Sequence, residues 1–289
     1  MSSGSRWREV AKGIWKRFGE VQVTDRAAAL TYYAILSLFP AMLVLVALLA
    51  LLGEYPRTYE SIISTLRDAA PGAAVDAIDS GLKGALKNRS GEAGPLLAVG
   101  LLLALYSASG AMGTAMRSLE AINRAEHGRS FFPNLGVRLG LTAAVAVLVL
   151  VAFLSVVVAG PLFGSIADAA GFPEVIKGLV GYLRWPIGAL ALITAFALVY
   201  ALGPRRGPKA GTRSIRTVLP GAAVGTGLWF LVSLGFTTYA AHFGSYDKTY
   251  GTLGALISLL IWLWLGCLAF LLGALFNAEW ERVGDGGPR

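Results

Sequence analysis

The stretch GTLGALISLLIWLWLGCLAFLLGALFNA, Gly251 to Ala278, decides the fold class of this chain. It contains no Asp, Glu, Lys or Arg. A helix that crosses the hydrocarbon core of a bilayer, about 30 Å thick, needs about 20 apolar residues. The stretch is long enough to do so, and it therefore predicts a membrane-spanning helix rather than the core of a soluble domain.

Five more charge-free runs precede this one, at residues 27–52, 95–116, 139–166, 185–202 and 217–241. Because lipid cannot satisfy bare backbone amides, such runs should be helices, and they are too long for barrel strands. The chain of 289 residues is 55% hydrophobic and only 15% charged, well below the quarter or so typical of soluble domains. We predict an all-α integral membrane protein with six transmembrane helices in a domain at 27–278.

Basic residues in the connections predict the orientation of the spans. Of the 25 Lys and Arg, 17 lie in the amino-terminal segment, the second and fourth connections and the carboxyl-terminal tail. Cytoplasmic segments of membrane proteins retain an excess of Lys and Arg. Both termini should therefore be cytoplasmic, with residues 1–26 before the first span and a cytoplasmic tail at 279–289.

The amino-terminal segment has the pattern of an amphipathic helix. Trp7, Val10, Ala11, Ile14 and Phe18 fall at helical spacing, with basic residues between them. This pattern predicts an interfacial helix that lies on the anionic cytoplasmic leaflet. The alternative is a solvated helix that packs on the cytoplasmic loops.

Residues 56–89, between the first two spans, contain two apolar stripes at helical spacing, which Pro71 and Gly72 separate. The pattern predicts an external helical hairpin. Such a hairpin could cap the bundle or cover an entrance, or it could only tether two spans, although it is longer than a tether requires.

The composition argues against an enzyme. The two histidines, His127 and His242, are predicted on opposite faces of the membrane, and Cys267 is the single cysteine. Metal-dependent hydrolysis needs clustered His and carboxylate ligands, so we expect no metal site, no cofactor and no catalytic residue. The basic fourth connection lacks interleaved aromatic residues, and topology explains it better than nucleic-acid binding does.

Hydroxyl-bearing and small residues, rather than charges, occupy the predicted spans. They could line an uncharged cavity beside a proline hinge, or they could serve only as packing contacts between helices. The candidate cavity and hinge residues are Tyr32, Tyr33, Ser37, Pro40, Tyr106, Ser107 and Ser109.

Ionisable and polar candidates lie at the predicted membrane faces. A cross-helix ion pair is expected on the cytoplasmic side, although most such charges are solvated helix ends. These face candidates are Asp25, Arg26, Glu120, Asn277, Glu279 and Arg282. An external turn offers a candidate gate, for which an interfacial aromatic belt is the alternative. The gate candidates are Tyr246, Asp247, Lys248 and Tyr250.

Four stretches resemble the BrkB/YihY family of bacterial inner-membrane proteins. They are DRAAALTYYAILSLFP from Asp25, YSASGAMGTAMRSLEAINRA from Tyr106, VLPGAAVGTGLWF from Val218 and HFGSYDKTYGTLGALISLLIWLWL from His242. The resemblance implies a six-helix protein with cytoplasmic termini, described as a transporter or exporter of unsettled substrate. Leu275 stands where many members carry a glutamate, which leaves Glu279 as the nearest acid.

Two functions follow as expectations. The first is an inner-membrane transporter or flippase-like exporter of a lipid, an amphiphile or an uncharged polar solute. The second is a non-transporting scaffold for envelope machinery. The expected partners are membrane lipids, anionic headgroups at the basic cytoplasmic segments, and a second copy or an envelope protein. An older description of the family as ribonuclease BN does not fit the residues, and we expect no nucleic-acid partner.

Overall fold

The computed structural model describes residues 3–51, 93–125, 131–153, 155, 173–204, 213–242 and 252–284. Within these ranges the regular structure is helical, and no strand occurs. The helices are α1 (Ser3–Glu20), α2 (Val23–Leu51), α3 (Ala93–Ile122), α4 (Phe131–Phe153), α5 (Glu174–Leu202), α6 (Ile215–His242) and α7 (Thr252–Gly284). The expected external hairpin at 56–89 lies outside the described residues.

Four helices are long and apolar enough to cross a membrane, in a search of the described residues alone. The spanning segments are Phe132–Ala152, Gly181–Leu202, Ile215–Phe236 and Ile257–Gly284. Many of their apolar side chains are exposed, for example Val147, Leu190 and Leu231, each at 60% or more. An apolar helix surface that faces outward suits lipid rather than water. The chain is therefore an all-α membrane protein, and the first two predicted runs lie in the helices α2 and α3.

Two helix boundaries differ from the sequence prediction. Helix α5 begins at Glu174, well before the predicted start of its span at Trp185, and its spanning segment includes Arg184. The Arg184 guanidinium lies 5.7 Å from the Trp185 ring centroid, so an interfacial aromatic residue accompanies this charge. Helix α7 continues past Ala278 to Gly284, so the predicted tail begins as helix.

The chain divides into two compact units. The first contains Met1–Arg26, Ala115–Phe230 and Leu268–Arg289, and the second contains Ala27–Thr114 and Leu231–Cys267. The core of the first unit includes Leu119, Tyr200 and Leu271, each at 2% exposure or less. In this unit α4 packs against α5.

Glycines allow α6 and α7 to approach closely in the first unit. A Cβ atom on Gly221 would lie 2.3 Å from the Gly273 carbonyl oxygen, and one on Gly273 would lie 2.4 Å from the Gly221 carbonyl oxygen. Small residues at membrane helix interfaces permit such backbone contact. The Tyr200 hydroxyl of α5 donates a hydrogen bond to the Phe270 carbonyl of α7, so three helices meet here.

Candidate functional site

A fully buried carboxylate, Glu279 near the end of α7, lies at the centre of a cluster of charged side chains in the first unit. Its exposure is 0%. Nη1 of Arg17 lies 3.0 Å from its Oε1, and Nε of Arg282 lies 2.8 Å from its Oε2. Both oxygens therefore accept charge-assisted hydrogen bonds, which are among the stronger polar contacts in proteins.

Arg17 connects this cluster to a third helix. Its Nη2 donates to the carbonyl oxygen of Ile122, the last residue of α3. A carbonyl at a helix carboxyl terminus has no partner within its helix and lies at the negative end of the helix dipole. The Arg17 guanidinium supplies this carbonyl with a hydrogen-bond donor and places a positive charge at the negative end of the helix dipole. The cluster therefore connects α1, α3 and α7.

Gly13 provides the space that the carboxylate occupies. A Cβ atom at this position would lie 2.0 Å from Oε2 of Glu279 and 3.0 Å from Nη2 of Arg282. The two arginines hold the carboxylate in place, so it could not move aside without loss of an ion pair. The absence of a side chain at position 13 thus lets α1 lie directly against α7.

Aromatic contacts extend the packing of α1 against α7. The Trp7 ring centroid is 5.0 Å from that of Trp280 and 5.9 Å from that of Phe276. The Arg6 guanidinium lies over Trp280, 4.1 Å from the ring centroid. Aromatic pairs and cation–π contacts of this kind each stabilise by about 0.5–2 kcal/mol. Helix α1 is therefore docked along much of its length.

The packing face of α1 differs from the predicted apolar stripe. Val10 is buried as the pattern suggested, but Ala11 is exposed and Trp7 is 53% exposed. Arg17, one of the basic residues between the positions of the predicted apolar stripe, is only 8% exposed. The face that packs includes Trp7 and Val10 of the predicted stripe. It also includes Gly13 and Arg17, because the partner surface presents a carboxylate. The packing is against α7 and the end of α3 rather than against loops, and contact with lipid stays a prediction.

Asn277 links α7 to the backbone of α6. Its Nδ2 donates to the Val218 carbonyl at 2.8 Å, and its Oδ1 accepts the Gly221 N–H at 2.7 Å. Pro220 lies between these two residues and has no N–H, so the hydrogen-bond ladder of α6 is interrupted here. The buried amide, 2% exposed, pairs with backbone groups on both sides of that proline.

Two of the remaining face candidates, Asp25 and Arg26, have partners elsewhere. Asp25 is exposed and accepts a hydrogen bond from Thr24 at 3.4 Å. Arg26 donates from Nε to the Val21 carbonyl at 2.7 Å, across the break between α1 and α2. Glu120 is half-buried on α3. Of the face candidates, the structure therefore pairs Glu279 with Arg282. Asn277, nearby on α7, hydrogen-bonds the backbone of α6.

Three contributors were missed in the sequence. Arg17 and Gly13 complete the Glu279 cluster. Val10, Gly13 and Arg17 are three and four residues apart, and this helical spacing was the only sign in the sequence that they share one face. Arg213, just before α6, donates a hydrogen bond from Nη1 to Oδ1 of Asn123 at 2.7 Å and forms an ion pair with Glu281 of α7. Its position in a basic connection gave no sign of this role, since a sequence does not show which charges meet in space.

The candidate cavity residues lie in the second unit, where several hydroxyls bond their own helix. Ser37 donates to the Ala34 carbonyl at 2.8 Å, and Ser109 to the Tyr106 carbonyl at 2.6 Å. The Tyr33 ring packs against Gly110, whereas Tyr32 and Tyr106 are 61% and 68% exposed.

The other cavity candidates and the candidate gate lie outside the part of the chain whose side chains the structure describes. The side chains of Pro40 and Ser107 lie outside the described residues, as does the candidate gate of Tyr246, Asp247, Lys248 and Tyr250. The roles of these residues stay predictions.

An open apolar groove of about 540 Å³ lies between α2 and α7 in the second unit. One candidate cavity residue, Tyr32, lines it, and Thr31 adds a second hydroxyl, which donates to the Ala27 carbonyl at 2.8 Å. The lining residues are Ala28, Thr31, Tyr32, Ile35, Leu36, Leu260, Ile261 and Trp264. Apart from these hydroxyls and the Trp264 indole N–H, the side-chain groups that line the groove are apolar.

Metal-binding groups do not come together in the described ranges. No three His, Cys, Asp or Glu side chains there lie close enough to hold a metal ion.

Replacing Gly13 with Ala should loosen the docking of α1. The new methyl group would overlap the Glu279 carboxylate, and overpacking of this kind costs about 1–3 kcal/mol. Gly19 is the matched control, because a Cβ there meets open space and Ala favours the helix. Thermal unfolding in detergent should show a lower midpoint for Gly13→Ala and an unchanged or higher one for Gly19→Ala. Equal midpoints would contradict the close contact.

Comparison with known proteins gives a consistent set of relatives. A family profile described as virulence factor BrkB matches residues 14–288. The ribonuclease-like protein YfkH of Bacillus subtilis (strain 168) is 31% identical over 267 residues, which cover 92% of this chain and 93% of that protein.

Longer relatives carry the name UPF0761 membrane protein. The one from Halorhodospira halophila is 26% identical, over 93% of this chain and 58% of its own length. The one from Alkalilimnicola ehrlichii is 27% identical, over 95% and 59%. The chain thus spans less than two thirds of these two longer relatives. No solved structure matches it.

Proposed function

The chain belongs to the BrkB family of membrane proteins, and from this premise we propose that it is an inner-membrane transporter or flippase-like exporter. Its proposed substrate is a lipid, an amphiphile or an uncharged polar solute. The proposal has the chain cross the membrane six times, with α2 and α3 as the first two spans and both termini in the cytoplasm.

The apolar groove between α2 and α7 is the observation that carries the proposal. If both helices cross the bilayer, a groove with exposed apolar walls opens toward lipid. Lipid tails are as apolar as its leucines, so an acyl chain would enter without a hydrophobic penalty or reward. Binding would then depend on van der Waals fit to Leu36, Ile261 and Trp264, which line the groove.

A polar headgroup meets a much larger barrier than an acyl chain. Polar groups cost several kcal/mol in hydrocarbon when they find no hydrogen-bond partner. The hydroxyls of Thr31 and Tyr32 lie along the groove and offer partners without a net charge. This arrangement favours an uncharged or amphiphilic substrate over a free ion.

The Glu279 cluster fits a positioning role in this proposal. Both carboxylate oxygens already accept hydrogen bonds from arginines, so neither is open to a transported cation in this arrangement. We assign Glu279 to holding α1 against α7. The proposal includes no catalytic step, and the ribonuclease-like name is that of the Bacillus subtilis relative.

A groove-filling substitution tests the proposal. Ala28 is exposed and lines the groove, whereas Ala29 is exposed on the same helix and lies outside the lining. In liposomes, Ala28→Trp should slow the movement of fluorescently labelled phospholipid or lysophospholipid about tenfold, which corresponds to about 1.4 kcal/mol in the barrier. Ala29→Trp should leave the rate unchanged.

Two results would contradict the groove proposal. One is equal rates for the Ala28→Trp and Ala29→Trp proteins. The other is the absence of lipid or solute movement by the wild-type protein under any imposed gradient, which would favour the scaffold alternative.

A further inference from the structure

The surface of α1 that faces away from α7 combines an exposed tryptophan with two cations. Trp15 is 85% exposed, and Ala11, Arg8 and Lys12 are exposed as well. In a helix, residues three, four and seven apart share one side, so Arg8, Ala11 and Lys12 lie on the same side as Trp15. We call this set the outer face of α1.

Docking against α7 determines which way the outer face points. Arg17, which is buried against Glu279, follows Trp15 by two residues. Two residues correspond to about 200° of helix rotation, so the two side chains lie on nearly opposite sides. With Gly13 and Arg17 held against α7, the outer face is held away from the protein.

The position of α1 in the chain places the outer face near a membrane boundary. Helix α1 ends at Glu20, and α2 begins at Val23 after a two-residue break in which Gln22 has a φ of 50°. The charge-free run of α2 begins at Ala27. Helix α2 rises about 6 Å from Val23 to Ala27, at 1.5 Å per residue, and only two residues separate α1 from α2. Helix α1 therefore lies close to the level at which α2 enters lipid.

We propose that the outer face of α1 binds the anionic lipid surface of the cytoplasmic leaflet, with Trp15 inserted among the headgroups. Indole rings favour the membrane interface, and each cation near an anionic surface adds attraction. Lys16 is a weaker contributor. Its Nζ lies 3.9 Å from Oε1 of Glu20, and its side chain is rotated by about 100° around the helix axis from that of Trp15. The proposal needs the chain to span the membrane with its amino terminus in the cytoplasm, and it does not depend on transport.

Quenching of Trp15 fluorescence by brominated lipids tests this proposal in the full-length protein. The contribution of Trp15 is the difference between the wild-type protein and Trp15→Phe, in liposomes that contain a fixed fraction of brominated phosphatidylglycerol or brominated phosphatidylcholine. We expect brominated phosphatidylglycerol to quench Trp15 more strongly, because the two cations concentrate anionic headgroups.

Two single-charge variants form a matched pair. Lys12→Gln should lower the preference for phosphatidylglycerol by up to about fivefold, the effect of one cation near an anionic surface. Lys16→Gln should leave it nearly unchanged. The proposal is overturned if neither lipid quenches Trp15, if both quench it equally, or if the two variants behave alike. Lipid movement by the same proteoliposomes reports on the proposed transport separately.

Discussion

Replacing Glu279 with Gln is expected to lower the free energy of unfolding by about 3–5 kcal/mol. Loss of one partner from a buried ion pair leaves the other charge buried without compensation. Here the uncompensated charge is Arg17, at 8% exposure, while the more exposed Arg282 can turn toward water. For a chain of this size the unfolding midpoint should fall by about 10 °C.

Thermal unfolding in detergent micelles, followed by the loss of the monodisperse species, measures this effect. Glu20→Gln is the control, because Glu20 pairs at 3.9 Å with Lys16 on the surface and such pairs contribute about 1 kcal/mol or less. If Glu279→Gln lowered the midpoint no more than Glu20→Gln does, the buried cluster would not stabilise the docking of α1.

A double substitution separates the loss of the pair from the burial of a lone charge. Arg17→Met combined with Glu279→Met removes both charges at similar volume, and apolar replacements of this kind are often neutral or stabilising. We expect the double variant to be more stable than Glu279→Gln alone. If the effects of the single Met variants simply added, the two side chains would not be coupled.

Replacing Gly221 with Ala is expected to cost about 3 kcal/mol, the upper end for overpacking. The added Cβ would meet the Gly273 carbonyl and Asn277 at 2.3 Å. The Gly273 carbonyl is a backbone group that cannot rotate away, so α6 and α7 must separate. Separation would also weaken both hydrogen bonds of Asn277 to α6.

Gly227→Ala, on the same helix, is the matched control for this prediction. A Cβ at Gly227 would meet open space, and Ala favours a helix over Gly by up to about 1 kcal/mol. The two substitutions should therefore shift the unfolding midpoint in opposite directions. A fall of equal size in both variants would show that α6 needs glycine for its backbone rather than for contact with α7.

Much of the fold could be predicted because its cause is local. The charge-free stretch from Gly251 to Ala278 needs only its length and composition to predict the spanning segment of α7. The amphipathic spacing from Trp7 to Phe18 likewise predicted a helix there. The fourth span was predicted to begin at Trp185, because Arg184 was taken to end the charge-free run. The structure instead begins α5 at Glu174 and includes Arg184 in the spanning segment.

The candidate site was predictable only in part. Glu279 and Arg282 were identified as face charges with a possible cross-helix pair. Arg17, the partner of Glu279 on α1, was counted among the basic residues expected at the anionic leaflet, since helical spacing alone does not show which side meets a carboxylate. The groove lining brings α2 residues beside Leu260 and Trp264 of α7, and their separation in sequence gave no sign of this contact.

The residue pattern alone identifies the chain as a helical membrane protein, because runs without charge can satisfy their backbone groups in lipid only as helices. Which charges are buried together, and where a side chain must be absent, follow from the packing of the helices. Gly13 and Arg17 are separated from Glu279 by most of the chain, and their shared role arises from atoms that meet only after the helices have packed.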